Sequence, residues 1–298
     1  MLLISSIIFV FSLPIASFLF FFLTHKLNIW YSLLVSCGVL VLTLGLFCCL
    51  ILFLLVHLGK RFEKMNNHKN KKMWRFMVDV ARFACFWLFI RIKVEGLDKL
   101  KVDESYVFYS NHQCYIDPLI YHTVLRKIPH ATMYKKAIDK YVFAGPMVRA
   151  LGGEAIDRLD DRSSLVTVLN IIKKVKEGLN FFIFPEGTRS RGIGLHHFKP
   201  GAFKIAQKTN AKLVLFAIDG SYRKRLTIPF IYTPVHIKLI EVINPEDLKD
   251  LNTADIAREC ELKVKKAQEE FRKKYFLMKP SRRYKKKFEK QKENGGIF

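Results

Sequence analysis

The chain has 298 residues, half of them hydrophobic, with 50 Lys and Arg against 26 Asp and Glu and a formal net charge of +24. This much apolar material excludes a disordered chain, and 15 Gly with 10 Pro exclude collagen-like and low-complexity classes. The length fits one domain with appendages.

Charge is distributed unevenly, because Lys26 is the only charged side chain in residues 1–59. Residues 2–23 and 29–58 are charge-free runs, each long enough to cross a bilayer, which takes ~20 apolar residues. The short turn 24–28 between them predicts a transmembrane hairpin over residues 1–59. A cleaved leader does not fit the first run, which is too long and lacks a basic start. Lys60, Arg61, Lys64, Lys69, Lys71 and Lys72 follow the second run, whereas the turn holds only Lys26. The positive-inside rule then places residues 60–298 in the cytoplasm, on a multi-pass protein of the cell membrane.

Residues 60–93 read as a basic linker followed by an amphipathic helix. Over residues 73–92, Lys72, Arg75, Asp79 and Arg82 mark one polar stripe at helical spacing. The expectation is a helix lying along the membrane interface; the alternative is a helix buried in the soluble domain. From residue 94 short apolar runs alternate with amphipathic segments. Strands are predicted at 106–110, 181–184, 213–218 and 235–243, and helices at 118–126, 163–177 and 203–209. Gly178 is the stop of the second helix. The pattern predicts an α/β domain over residues 94–250, with a mixed sheet flanked by helices. Residues 251–298 read as a helix over 253–275, capped by Asn252, and a polybasic tail. Between Arg272 and Lys292 the tail has eleven basic residues and one acid, Glu289. It reads as a solvated segment or as a contact for anionic phospholipid. Six cysteines without a CxxC pair suit neither a disulfide framework nor a thiolate zinc site.

Three segments carry chemistry. The first is Ser110-Asn111-His112-Gln113-Cys114-Tyr115-Ile116-Asp117-Pro118. His112 and Asp117 are five apart, so neither a regular helix nor a strand lets them face each other. They meet only if the chain turns between them, with Asp117 as a helix N-cap and Pro118 at the first helical position. In that geometry His112 is a general base oriented by Asp117. The second is Phe184-Pro185-Glu186-Gly187-Thr188-Arg189-Ser190, at the end of a strand, where α/β folds place ligands. Its glycine and arginine suit an anion. The third, Gly152 to Arg158, places another arginine after a short strand-like piece.

In this order and spacing the three segments resemble the glycerolipid acyltransferase family, especially its lysophosphatidic acid acyltransferases. Those carry N-H-x-S-x-x-D, G-x-x-x-I-D-R and F-P-E-G-T-R-S. The resemblance covers about residues 94–243. It implies transfer of a fatty acyl group from acyl-CoA or acyl carrier protein to the free hydroxyl of 1-acyl-sn-glycerol 3-phosphate. It also implies His112 as base held by Asp117, and Arg158, Glu186, Gly187, Thr188 and Arg189 as acceptor-binding residues. No metal, cofactor or nucleic acid is implied. Cys114 stands where the family has Ser, Glu154 where an apolar residue is common, and Phe216 where a proline is usual. Two readings compete: an acyltransferase on glycerol 3-phosphate or another lysophospholipid, and an inactive membrane protein that binds anionic lipid or nucleic acid.

Overall fold

A computed structural model describes residues 12–20, 22–23, 29–65, 70–157, 160–224 and 231–274. A long helix, α1 (Ile29–Met65), leads into α2 (Lys71–Trp87) and β1 (Ile90–Glu95). The chain continues through β2 (Tyr106–Ser110), α3 (Asp117–Val124), β3 (His130–Lys135), α4 (Ala144–Ala150) and β4 (Glu154–Ile156). It ends with α5 (Asp161–Lys176), β5 (Asn180–Ile183), α6 (Pro200–Gln207), β6 (Lys212–Asp219), β7 (Thr233–Ile243) and α7 (Thr253–Lys274).

The strands form one sheet in the order β1-β7-β6-β2-β5-β3-β4. Only β6 and β7 pair antiparallel; the other pairs are parallel. The mixed sheet matches the expectation from sequence. Parallel strands need cover on both faces, and β2 shows how it is supplied. Val107 and Tyr109 point into a core shared with α5, α6 and α7, whereas Tyr106 and Phe108 point into one shared with α3 and the start of β1. Phe216 fills the second core, packed against Phe108, Tyr121 and Phe182.

Local signals set the helix ends. Asn70 Oδ1 accepts the Lys72 and Met73 N–H groups at 2.9 and 3.2 Å and starts α2. Gly178, at φ 89°, takes the left-handed conformation that stops α5. Asn252 Oδ1 accepts the Ala254 N–H at 3.0 Å and caps α7.

The helix expected along the membrane over 73–92 differs from the structure in two ways. It ends at Trp87, and residues 90–92 belong to β1. Its apolar face is also occupied by the domain: Met73, Trp74, Met77, Val78, Ala81 and Cys85 are buried, and Trp74 Nε1 donates to Arg126 O at 2.8 Å. Packing against α3 and α4 is the buried-helix alternative.

Among the described residues one helix, α1, is long and apolar enough to cross a membrane. Its 37 residues would span ~55 Å, beyond a ~30 Å hydrocarbon core. Residues 12–20 and 22–23 are also helical, and Ser17 Oγ lies 3.5 Å from Ser36 Oγ of α1. The turn 24–28, the start of the first apolar run and tail residues 275–298 lie outside the described residues.

Candidate active site

At the end of β2 the chain turns sharply. Asn111 holds the turn by pairing its side-chain amide with the backbone N–H and C=O of one residue of β6. Nδ2 donates to Ile218 O and Oδ1 accepts the Ile218 N–H, both at 2.9 Å. An asparagine can do this because its amide carries the donor and acceptor of a backbone group.

Asp117 is wholly buried. Its Oδ2 accepts three hydrogen bonds: from Gln113 N at 2.7 Å, Cys114 N at 2.8 Å and His112 Nδ1 at 2.8 Å. The expected turn is therefore present, but Asp117 does not cap its own helix. Ile116 occupies the cap, Asp117 and Pro118 form the first turn, and the carboxylate reaches back over residues 112–114. A carboxylate partner makes Nδ1 the protonated nitrogen and leaves Nε2 as a proton acceptor. The His112 ring stacks on Phe184 at 4.1 Å, and its side chain remains 14% exposed.

The second segment brackets the histidine backbone. Glu186 Oε1 accepts the His112 N–H at 2.5 Å, and Ser190 N donates to His112 O at 2.8 Å. Glu186 Oε2 accepts the His196 N–H at 2.9 Å. The Glu186 carboxylate is buried and both oxygens face the protein's own backbone. Burial pushes its pKa well above the carboxylate range, aided by the charges of Asp117 and Glu261 and opposed by the two N–H donors. Gly187 lies at φ 67°, a left-handed conformation that favours glycine, and a Cβ there would press on the flexible end of Lys199, 3.0 Å away at Cε. Thr188 is exposed and Arg189 half-buried.

Cys114 is buried, and its thiol pKa is pushed up to about 11 by desolvation and then by the Asp117 charge, with Arg189 opposing. Arg189 directly precedes Ser190, whose N–H bonds His112 O, so its backbone lies beside the His112–Asp117 turn. Glu154 points elsewhere, forming an ion pair with Lys174 of α5 at 2.6 Å. Arg158 lies outside the described residues. A cavity of about 280 Å³ adjoins Phe184, Pro185 and Gly187 and is walled by Met133, Ile156 and Leu165.

One polar set had no signature in the sequence. Gln113 Nε2 donates to Asp219 Oδ1 at 2.9 Å. Arg272 Nη2 donates to the same oxygen at 3.1 Å and to Ile193 O at 2.8 Å. This set ties the His112–Asp117 turn, the end of β6 and the end of α7 together. Among the described residues no group of three or more His, Cys, Asp or Glu is placed to hold a metal ion.

Comparison with known proteins points the same way. Residues 91–230 match the model of the acyltransferase family. The chain is 29% identical over 185 residues to a chloroplastic 1-acyl-sn-glycerol-3-phosphate acyltransferase of Arabidopsis thaliana, covering 59% of this chain and 51% of that one. It is 27% identical over 176 residues to the 1-acyl-sn-glycerol-3-phosphate acyltransferase of Borreliella burgdorferi, covering 57% and 70%. The chain thus spans about half the length of the first curated relatives it matches. The crystal structure of the 1-acyl-sn-glycerophosphate acyltransferase of Thermotoga maritima superposes with a TM-score of 0.61 at 22% identity, covering 76% of this chain and 93% of that one. That likeness establishes the fold, and the stretch that matches the acyltransferase family model, residues 91–230, contains the His112–Asp117 turn and the 184–190 loop.

Proposed function

We propose that this chain is a membrane-bound acyltransferase that moves a fatty acyl group from an acyl thioester to the free hydroxyl of lysophosphatidate, giving phosphatidate. The observation that carries the reading is the His112–Asp117 couple, held by the 184–190 loop beside an apolar cavity. In this mechanism His112 Nε2 takes the proton of the acceptor hydroxyl as its oxygen attacks the thioester carbonyl. Asp117 keeps the proton on Nδ1 and stabilises the imidazolium that forms. The tetrahedral adduct then expels the thiolate, which receives that proton. A thioester is activated enough for one base to suffice. The donor is acyl-CoA or acyl carrier protein; Met133, Ile156, Leu165 and Val168 in the cavity lining suit an acyl chain, and Lys199 and Lys204, which also line it, suit an anionic group.

Arg189, with Arg158, binds the acceptor phosphate; Gly187, whose own N–H bonds Phe184 O, lets the backbone approach it, and Thr188 supplies a hydroxyl donor. Glu186 acts by positioning His112, since both its oxygens are already engaged. We read residues 1–59 as a two-span anchor, 60–93 as linker, helix and the start of β1, 94–250 as the rest of the acyltransferase domain and 251–298 as helix and tail. The approach of Ser17 to Ser36 and the exposed apolar surface of α1 support the anchor. The basic residues after it favour a cytoplasmic domain.

The test is acyl transfer by the purified protein, with acyl-CoA as donor and lysophosphatidate or glycerol 3-phosphate as acceptor. Arg189→Ala should raise the Michaelis constant for lysophosphatidate by ~10–100-fold, the worth of a charged hydrogen bond of about 1.5–3 kcal/mol. The constant for the acyl donor should barely move. An equal change in both constants counts against a phosphate contact.

Cys114 offers a competing nucleophile two residues from the base. Its raised pKa keeps the thiol protonated at neutral pH, and burial hides it. Cys114→Ser should therefore retain activity within a few-fold. Loss of activity together with an acyl-cysteine adduct in the wild-type protein, seen by mass spectrometry, would replace direct transfer with a two-step route.

A further inference from the structure

The end of α1 is built into the domain. A Cβ at Gly59 would sit 3.2 Å from Met147 Cγ and 3.6 Å from Pro146 Cβ, so α1 and α4 touch at close range. One turn later, Arg149 Nε donates to Glu63 Oε1 at 2.6 Å. Arg149 also pairs with Asp139, whose Oδ1 accepts the Tyr134 hydroxyl at 2.9 Å.

These contacts give α4 a direction. Going from Glu63 back to Gly59, towards the apolar part of α1, leads from Arg149 back to Met147 and Pro146 on α4. At ~1.5 Å per helical residue, one further turn brings residues 141–143 level with the apolar residues just before Lys60. At that end of α4, Tyr141, Val142 and Phe143 are 58%, 63% and 42% exposed. Three consecutive large apolar side chains facing outward are unusual on a water-facing loop. Lys135, Lys136 and Lys140, all exposed, flank them, and Lys60 and Arg61, which follow Gly59 on α1, are exposed as well. Aromatic tips ringed by cations match the headgroup layer of an anionic bilayer.

We propose that the loop at residues 141–143 inserts into the lipid headgroup region as a second membrane contact beside α1. The proposal rests on the reading of α1 as a membrane anchor. Because the loop follows β3, whose Met133 lines the cavity, this contact would set the cavity at the bilayer surface. A lysophospholipid would then reach His112 from the membrane without crossing water.

The experiment uses the full chain in vesicles of equal phosphatidylcholine and phosphatidylglycerol. Val142→Trp is introduced into a Trp30→Phe protein, with that parent as baseline. The expected result is flotation with the vesicles, with the added emission quenched ~twofold by lipids brominated near the headgroup, the depth of an interfacial side chain. It should also be shielded from aqueous iodide. In a protein that floats, emission untouched by bromolipid and quenched by iodide overturns the loop contact alone and favours a protein partner or bare solvent. A protein that fails to float overturns the anchor reading and the loop contact with it. A second variant, Y141S/V142S/F143S, should lose about tenfold in rate on vesicle-borne lysophosphatidate, since three apolar side chains leave the lipid. Its rate on a short-chain, water-soluble acceptor should be unchanged; an equal loss on both acceptors counts against the proposal.

Discussion

Replacing His112 with alanine will abolish acyl transfer and leave the fold in place. Among the described residues the imidazole hydrogen-bonds only Asp117 and stacks on Phe184, so its removal breaks one hydrogen bond and one ring contact while the backbone bonds of the turn remain. Nothing else in the turn is placed to take the acceptor proton, because Cys114 is a buried, protonated thiol and Glu186 is turned towards backbone. Asp117→Asn should be nearly as severe. All three donors converge on Oδ2, and an amide oxygen can still accept from them, so the turn should persist. What is lost is the negative charge that stabilises the imidazolium. By analogy with hydrolase triads the fall in kcat could approach ~10⁴-fold. The check is kcat for both variants alongside their circular dichroism and unfolding midpoints. A folded His112→Ala protein with near wild-type turnover would remove His112 from the mechanism.

Glu186→Ala should be the most damaging substitution to the molecule as a whole. It leaves two part-buried N–H groups, those of His112 and His196, without acceptors. Each orphaned donor costs about 1–3 kcal/mol, against a total stability of about 5–15 kcal/mol. Glu186→Gln is the informative variant. Its shape is preserved, but one of the two N–H groups then faces an amide NH₂ in place of an oxygen. We expect kcat to fall by more than ~10-fold as His112 shifts, with the Michaelis constant for lysophosphatidate little changed, because small misplacements of catalytic groups are costly. If Glu186 instead binds the acceptor, the Michaelis constant will rise and kcat will hold. Steady-state kinetics separate the two.

Much of this fold was legible from local pattern. The strand at 106–110 was predicted at its observed bounds, because an apolar run of that length between turn signals has few alternatives. β5, β6 and β7 and helices α3, α5 and α7 were also visible, with the caps at Gly178 and Asn252. β1, β3 and α4 were not. β1 reads Ile-Arg-Ile-Lys-Val-Glu and lies at a sheet edge, so alternating charges left no apolar run and its first three residues read as the end of the preceding helix. β3, His-Ala-Thr-Met-Tyr-Lys, is too polar to announce a buried strand. His130 is nevertheless buried there, against Trp74 and His122, and desolvation holds its pKa down at about 4.

By itself the sequence determined the sheet-and-helix class, the apolar N-terminal runs, and the residue types of the three segments, because periodicity, glycine placement and charge are local properties. The tertiary structure alone decided what those residues do to one another. Five-residue spacing did not reveal that Asp117 reaches back over residues 112–114 instead of capping its helix. That geometry depends on Asn111 clamping the turn to Ile218, 107 positions away. Nor did it reveal that Glu186 holds the His112 backbone, which requires β2 and β5 to be neighbours in a sheet whose strand order is not the chain order. Hydrogen bonds between strand ends follow from sheet order, and sheet order follows from how both faces are covered.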